Sequence, residues 1–600
     1  MTIFNILELL GGLCLFLFGM SILGDSLTTI SGGKLETILG KLCSTKIRGL
    51  LLGMLVTAVI QSSSATTVMV VALVNSGVMK LVQAVPVIMG ANIGTTVTGW
   101  ILSLSGISGD SFFIQMLKPS SFTPILAVIG IVLIFTGKTE GRKATGHALL
   151  GFAVLMFGME VMSGSVAPLQ GEPEFRNMFQ VFTNPLVGVL VGAILTAIIQ
   201  SSSAFTGILQ ALSTTGAITF GSVIPLIMGQ NIGTCITAAL ASIGAGRNAK
   251  RAAFIHLSFN VIGTICFMIA FYAINFFWPF PFMGDVVNEV NIALIHTIFN
   301  VFTTILLFPF SNQLVNFSKI VLPRKEPKIK KDEITTNLRL LDPRFLERPG
   351  FAVEQAYTVT CKMIETATAA LNAATELLYD FEHEEYLHVE DLENQVDQYE
   401  DALMEYTMGI TAGSLNQADN RKLTIIMHSL NDIERISDHA ITIADQAKIK
   451  HQAENSFSEQ AMLELKLYTE AVTDIMQMTQ DAFINIDLDL AEKISPLEDR
   501  IDEINKILYD RHIERLKNNI CRIENGMTIV EIYTCFERIS DHCNNISIVL
   551  RQFSEQLFRS HDFDNNVNRL SPEYNNMLEA YTEKYALPAV EKILESFCSK

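Results

Sequence analysis

The chain has 600 residues, a formal net charge of −18 and 49% hydrophobic residues. Its acidity argues against nucleic acid as a partner, because phosphate backbones are bound by basic patches. Nine cysteines, an odd number scattered without a Cys-x-x-Cys pair, suit reduced thiols and argue against a disulfide framework.

Two unlike parts make up these averages. Up to about Leu322 the chain consists of long apolar segments with few charges; beyond Pro323 it is charged, largely acidic and rich in helix formers. The opening Met-Thr-Ile-Phe-Asn offers no basic n-region, so a cleavable signal peptide is not expected. A membrane-spanning helix needs about 20 apolar residues. Segments of that kind lie near 3–24, 82–104, 119–136, 146–167, 222–243, 252–278 and 290–316. Two further segments, near 49–76 and 185–215, carry Gln-Ser-Ser-Ser at their centres and read as re-entrant hairpins or broken helices. Irregular backbone at membrane depth is tolerated only against protein or a water-filled cavity.

Those two segments are copies of each other. Residues 57–67 and 196–206 agree at nine of eleven positions, with Gln61 and Gln200 standing 139 residues apart. The same offset relates Phe18-Gly19-Met20 to Phe157-Gly158-Met159, Gly77 to Gly216, and Pro86–Thr95 to Pro225–Thr234. This is an internal duplication. Lys34, Lys41, Lys46 and Arg48 after the first span mark a cytoplasmic loop, whereas the matching loop in the second copy carries Arg176 beside Glu172 and Glu174. Lys138, Arg142 and Lys143, and then Arg247, Lys250 and Arg251, mark further inside loops. Each repeat then crosses the membrane an odd number of times, and the copies are inverted. The last span has no counterpart and delivers the chain to the cytoplasm at Arg324, Lys325, Lys328, Lys330 and Lys331.

Inverted repeats with discontinuous helices are a plan of secondary transporters, in which half-helix N-termini point free N–H groups at an anion. The candidate substrate and sodium ligands are Gln61, Ser62, Ser63, Ser64, Thr66, Asn92 and Thr95. In the second copy the candidates are Gln200, Ser201, Ser202, Ser203, Thr206, Asn231 and Thr234. A lone small residue such as Gly11, Gly12 or Ser103 is read as packing; paired polar tetrads at membrane depth are read as functional. Glu160 is the main acidic residue inside a span, which speaks weakly against a carboxylate proton relay. The duplicated Gln-Ser-Ser-Ser-Ala and Asn-Ile-Gly-Thr motifs resemble those of the type II sodium–phosphate cotransporters and their bacterial relatives, over about residues 1–316. The resemblance implies Na⁺-coupled movement of inorganic phosphate, in the uptake direction, with both motifs forming the site. Phe205 stands where the first copy has Thr66, and Cys235 where it has Thr96, so the halves are not equivalent.

Residues 323–350 form a Pro-bracketed charged linker. From Phe351 apolar residues recur at helical spacing through about six long segments, with breaks expected near Gly413-Ser414, Glu454-Asn455 and Asn525-Gly526. Glu434-Arg-Ile-Ser-Asp-His439 recurs unchanged as Glu537-Arg-Ile-Ser-Asp-His542, and Glu393/Asp397 is echoed by Glu498/Asp502. In each Glu-x-x-x-Asp pair, positions i and i+4 share a helix face. Glu393, Asp397, Glu434 and Asp438 are therefore expected to gather in one bundle, and Glu498, Asp502, Glu537 and Asp541 in the other. Such oxygen-rich clusters suit divalent ions or iron. These motifs resemble the metal-binding signature of PhoU-like domains, helical phosphate-signalling regulators, over about residues 351–555.

Two enzyme signals fail. Gly137-Lys138-Thr139 lacks the first P-loop glycine, since Val132 occupies that place, and His383 and His388 are five apart and diverge on a helix. The expected fold is all-α: a polytopic membrane domain of two inverted repeats with re-entrant or broken helices, followed by a cytoplasmic domain of two three-helix bundles. The boundaries are 1–140 (first repeat), 141–318 (second repeat and final span), 319–350 (linker), 351–560 (PhoU-like domain) and 561–600 (tail with a final helix). The expected function is sodium-coupled transport of inorganic phosphate by alternating access, not enzymatic, in a bacterial inner membrane with the C-terminal domain cytoplasmic. The alternatives are a membrane-anchored phosphate sensor without net flux, or a carrier or exporter of another anion. Inorganic phosphate, the lipid bilayer and phosphate-signalling proteins are the expected partners, with a homo-oligomer left open.

Overall fold

The computed structural model describes residues 3–31, 45–107, 111, 115–116, 118–170, 173–323, 333–410, 415–453, 457–518, 521, 523–554 and 571–588. No strand occurs among them; the one β-bridge joins Thr219 to Val286. The chain divides into two units, one comprising residues 1–332, 342–352 and 412–417, the other the remainder. Lys34, Lys41, Glu172, the linker lysines, Gly413-Ser414 and Glu454-Asn455 lie outside the described residues, as does the Arg176 side chain.

The first unit contains α1 (Ile3–Ser31), α2 (Lys46–Ile60), α3 (Ser63–Ser76), α4 (Leu81–Ser103), α5 (Pro119–Thr136) and α6 (Glu140–Val166). It continues with α7 (Pro173–Gln180), α8 (Pro185–Ile199), α9 (Ser202–Ser213), α10 (Phe220–Ala241), α11 (Arg247–Phe277), α12 (Glu289–Leu307) and α13 (Ser311–Val321). Seven of these, α1, α4, α5, α6, α10, α11 and α12, are long and apolar enough to cross a membrane, and each coincides with an expected span. The last span is shorter than expected. It ends at Leu307 and not near 316, because Pro309 cannot donate to the helix ladder, and α13 starts afresh at Ser311.

The polar segments are hairpins. α2 and α4 run parallel at close range: a Cβ on Gly49 would meet Pro86, one on Gly53 would meet Val87, and one on Gly94 would meet Thr57. Both helices therefore start at the same end, and α3 between them must run back. The second copy repeats this, with Gly188 at Pro225 and Gly233 at Thr196. A Cβ on Gly90 would lie 2.0 Å from the Leu50 carbonyl oxygen, and one on Gly229 2.0 Å from that of Val189, so only glycine permits these crossings. The inversion is visible where the leading helices of the two repeats meet. In α1 and α6, Gly12 faces Gly158 and Met162, whereas Gly19 faces Gly151 and Leu155, so the helices are antiparallel. Phe16, Leu155, Met156, Met159 and Met162 are buried along this seam.

The second unit contains α14 (Glu333–Leu338), most of α15 (Pro349–Leu377), α16 (His383–Met408) and α17 (Gln417–Gln452). There follow α18 (Glu459–Asn485), the short α19 (Leu488–Ala491), α20 (Ile494–Lys517), α21 (Ile523–Ser554) and α22 (Pro572–Lys584). The long helices form two sets of three. The break expected at Asn525-Gly526 falls earlier, because α21 already begins at Ile523. Gly526 sits within that helix for a packing reason: a Cβ there would lie 2.9 Å from His512 Nε2 on α20. Between α18 and α20 the wholly buried Glu464 carboxylate accepts from Arg511 at 2.8 Å and from Arg515 at 2.6 Å.

Candidate functional site

Each Gln-Ser-Ser-Ser motif is the tip of a hairpin. Gln61 and Gln200 cap the incoming helices in the left-handed region, both at φ 59°. Ser62 and Ser201 then return to extended backbone, and their hydroxyls accept from the Ala65 and Ala204 amides at 3.1 and 3.2 Å. The outgoing helices α3 and α9 thus begin inside the unit, with first-turn N–H groups lacking intrahelical acceptors.

The two tips meet. One cavity of about 270 Å³ is lined by Gln61, Ser62, Ser63, Ser64, Gln200, Ser201, Ser202 and Ser203. Leu17, Met20, Ser21, Gly24 and Asp25 of α1, together with Ile60 and Arg348, complete the lining. Eight of the fourteen expected substrate and sodium ligands therefore share one space. The other six are buried and do not line it. Thr66 accepts a 3.0 Å bond from Thr57 across the first hairpin. Asn92 donates to Asn260 at 2.7 Å, and Asn231 to Asn300 at 2.7 Å. Thr95 and Thr234 donate back to the Ala91 and Gln230 carbonyls. Thr206 pairs with the Gln230 amide at 2.9 Å.

The halves differ in these supports. Gln61 is buried and its Oε1 accepts from Thr98 at 2.9 Å, whereas Gln200 is exposed. Where the first repeat has Ala91 the second has Gln230, which meets Thr206 and His296 of α12. Phe205 stands in place of Thr66, and the buried hydroxyl of Thr196, the counterpart of Thr57, has no hydrogen-bond partner among the described residues. Sequence reasoning missed Ser21, Asp25, Thr98, Gln230, Asn260, His296, Asn300 and Arg348. Asp25 was one residue past the expected end of the first span, and Glu160, the acid noticed there, is exposed and away from the cavity lining. Comparing Ala91 with Gln230 in the repeat was an available signal; nothing in the linker singled out Arg348.

In the second unit, oxygen atoms of Glu393, Asp397 and Asp438 lie within 4.8 Å of one another, and so do those of Glu498, Asp502 and Asp541. Three of the four expected carboxylates gather in each bundle, and the all-oxygen donor sets fit a hard divalent ion or iron. Glu434 and Glu537 fall outside these trios. Burial, and then the neighbouring Asp438, push the Glu434 carboxyl up to about 7. Burial and adjacent carboxylates also raise Glu393, Asp397 and Asp541. The two Glu-Arg-Ile-Ser-Asp-His copies meet: His439 stacks on His542 at 5.9 Å between ring centres, and His542 Nδ1 lies 2.8 Å from Asp432.

Antiparallel repeats whose hairpin tips enclose a polar cavity define the inverted-repeat class of membrane transport proteins. Residues 15–164 and 154–283 match the Na⁺/Pi-cotransporter family, and residues 360–447 and 465–549 match the PhoU domain. The membrane part of the chain thus carries the Na⁺/Pi-cotransporter family match, and PhoU domains follow it in the sequence. A protein of Salmonella typhimurium named "Putative inorganic phosphate export protein YjbB" is 23% identical, covering 91% of this chain and 98% of its own. The Bacillus subtilis protein YqeW, uncharacterised, is 28% identical over 52% of this chain and 96% of its own. The rat sodium-dependent phosphate transport protein 2A is 24% identical over 43% of this chain and 59% of its own. No solved structure matches.

Proposed function

We propose that this chain is a sodium-coupled secondary transporter of inorganic phosphate, working by alternating access in a bacterial inner membrane. A cytoplasmic, metal-binding PhoU-like region regulates it. The observation carrying this reading is the meeting of both Gln-Ser-Ser-Ser tips, from repeats of opposite orientation, at one cavity. Two half-helix N-termini offer N–H groups and partial positive charge to an oxyanion. The serine hydroxyls, glutamine carbonyls and the Asp25 carboxylate offer the oxygen ligands a hard monovalent cation requires. Asn92, Asn231 and their asparagine partners hold α4 and α10, against which the hairpins pack, to α11 and α12. Glu393, Asp397 and Asp438, and Glu498, Asp502 and Asp541, hold the metal ions.

Direction has a second reading. Relatives that align along both parts of the chain are named for phosphate export, and a coupled carrier runs whichever way its gradients drive it. Phosphate flux in vesicles of known orientation, under sodium gradients of either sign, tests both. Flux that follows the sodium gradient is expected. Net flux indifferent to sodium rejects the coupling, and phosphate binding without net flux makes the protein a sensor.

A further inference from the structure

We propose that Arg348 is a direct ligand of the transported anion, supplied by the end of the charged linker and not by any membrane-spanning helix. This rests on the cavity being the anion site. Residues 342–352 belong to the first unit, and they are fastened to it by a built set of contacts. The buried Asp342 carboxylate accepts from Asn75 at the end of α3, at 2.7 Å, and grips the Arg344 guanidinium at 2.6 and 2.7 Å. Arg344 in turn donates to the Ala241 carbonyl at the end of α10, at 3.2 Å. Phe345 is buried and meets Phe351 edge-on, 4.7 Å between ring centres. This strap is followed at once by Arg348, which is half-buried and lines the cavity together with both serine tips.

Charge makes the assignment. Among the described residues, Asp25 and Arg348 are the two formally charged side chains in the cavity lining. Without the arginine, a phosphate carrying one or two negative charges would enter a space whose only formal charge, among the described residues, repels it. The helix termini contribute only about half a positive charge each. Arg348 cancels Asp25 and presents a planar donor fork that suits two phosphate oxygens at once. One of its N–H groups is held by the Thr28 hydroxyl at 3.3 Å. A guanidinium carries five such donors, and among the described residues Arg348 forms no ion pair. Thr28 is thus a positioning residue that leaves the other N–H groups of the fork without an acceptor among the described residues.

Two measurements on the full-length protein test this. The first is modification of Arg348 by phenylglyoxal, followed by mass spectrometry of the peptide, in inorganic phosphate or in chloride of equal ionic strength. Phosphate is expected to slow modification at Arg348 at least severalfold; equal rates overturn the proposal. The second is flux. Arg348→Gln is expected to raise the phosphate KM about tenfold or more, the usual scale for losing a charged hydrogen bond, with little change in the sodium concentration giving half-maximal rate. Arg348→Lys, which keeps charge but not the fork, should recover part of that loss, and Thr28→Val should raise the KM only a few-fold. An unchanged phosphate KM in Arg348→Gln, or faster flux at unchanged KM, overturns the ligand role. Protection of Arg348 by phosphate in a wild-type protein that shows no net flux would reject the transport reading while leaving the arginine assignment standing.

Discussion

Gln61 and Gln200 adopt the same left-handed backbone, with φ of 59° in both and ψ of 21° and 17°. A side chain in that region costs about 1–2 kcal/mol relative to the right-handed helix, and glycine would avoid the cost. Two glutamines at the same strained position, one in each repeat, are therefore retained for their amides. Gln61→Gly and Gln200→Gly should unfold at the same temperature as the parent or slightly higher, yet lose phosphate flux at least tenfold. Thermal unfolding in detergent and proteoliposome flux measure the two effects separately. Wild-type flux in both variants would leave the turn as the functional element and remove the amides from the site.

The hairpins were legible because a polar tetrad in an apolar run, repeated at one offset, has few structural explanations. The sequence left hairpin and broken helix open. The choice depended on the parallel crossing of α2 and α4, which is visible only when Gly53 and Gly90 are seen against opposing backbone. The supporting network was less legible. Asn231 finds its partner Asn300 in α12, the span outside the duplication, so repeat logic could not pair them. In the second unit the helical spacing brought three carboxylates of each four together. It could not show that Glu434 and Glu537, on the same helices as Asp438 and Asp541, would fall outside the trios.

Glycine at the parallel crossings is a second point of sensitivity. Gly90→Ala and Gly229→Ala place a methyl 2.0 Å from a backbone carbonyl oxygen, where no side chain can rotate away. The helices must separate, and overpacking of this kind costs about 1–3 kcal/mol or more. Each variant should lower the unfolding temperature in detergent, and the double variant should fail to give a monodisperse protein. Gly11→Ala is the control, since nothing lies within 4 Å of its Cβ position.

Asp25 is the carboxylate of the cavity lining among the described residues, with Ser21 donating to it at 3.2 Å. If it ligates the coupling cation, Asp25→Asn should raise the sodium concentration for half-maximal flux several-fold. The phosphate KM at saturating sodium should be unchanged or lower, because a repelling charge has gone. A variant with normal sodium dependence would assign Asp25 to balancing Arg348 alone.

The carboxylates of the second unit predict a pH dependence with a definite sign. Glu434 titrates near 7 in the fold against an ordinary value of 4.5, so between these values the folded form holds more protons than the unfolded. Stability then falls as pH rises through this window and is fully present below it. Full-length protein stripped with a chelator should unfold at a lower temperature at pH 7.5 than at pH 5. Added Mn²⁺ should reverse the loss at pH 7.5 and do less at pH 5, where protons compete for the same oxygens. A metal-free protein equally stable at both values would count against crowded carboxylates as the source.

The Glu464 triad makes a prediction independent of any ligand. Its carboxylate is wholly buried, and Arg515 beside it is 8% exposed. Glu464→Ala leaves that guanidinium buried without its counter-charge, which costs about 3–5 kcal/mol. Glu464→Gln should cost less, since the amide oxygen still accepts one of the two bonds. Replacing Glu464, Arg511 and Arg515 together by apolar residues of similar volume should recover most of the loss, because no charge then remains to be desolvated. Denaturant unfolding of the four proteins, followed by helix content, orders them. If the single alanine variant were as stable as the parent, the buried pair would be energetically idle, and the packing of α18 on α20 would rest on its apolar contacts alone.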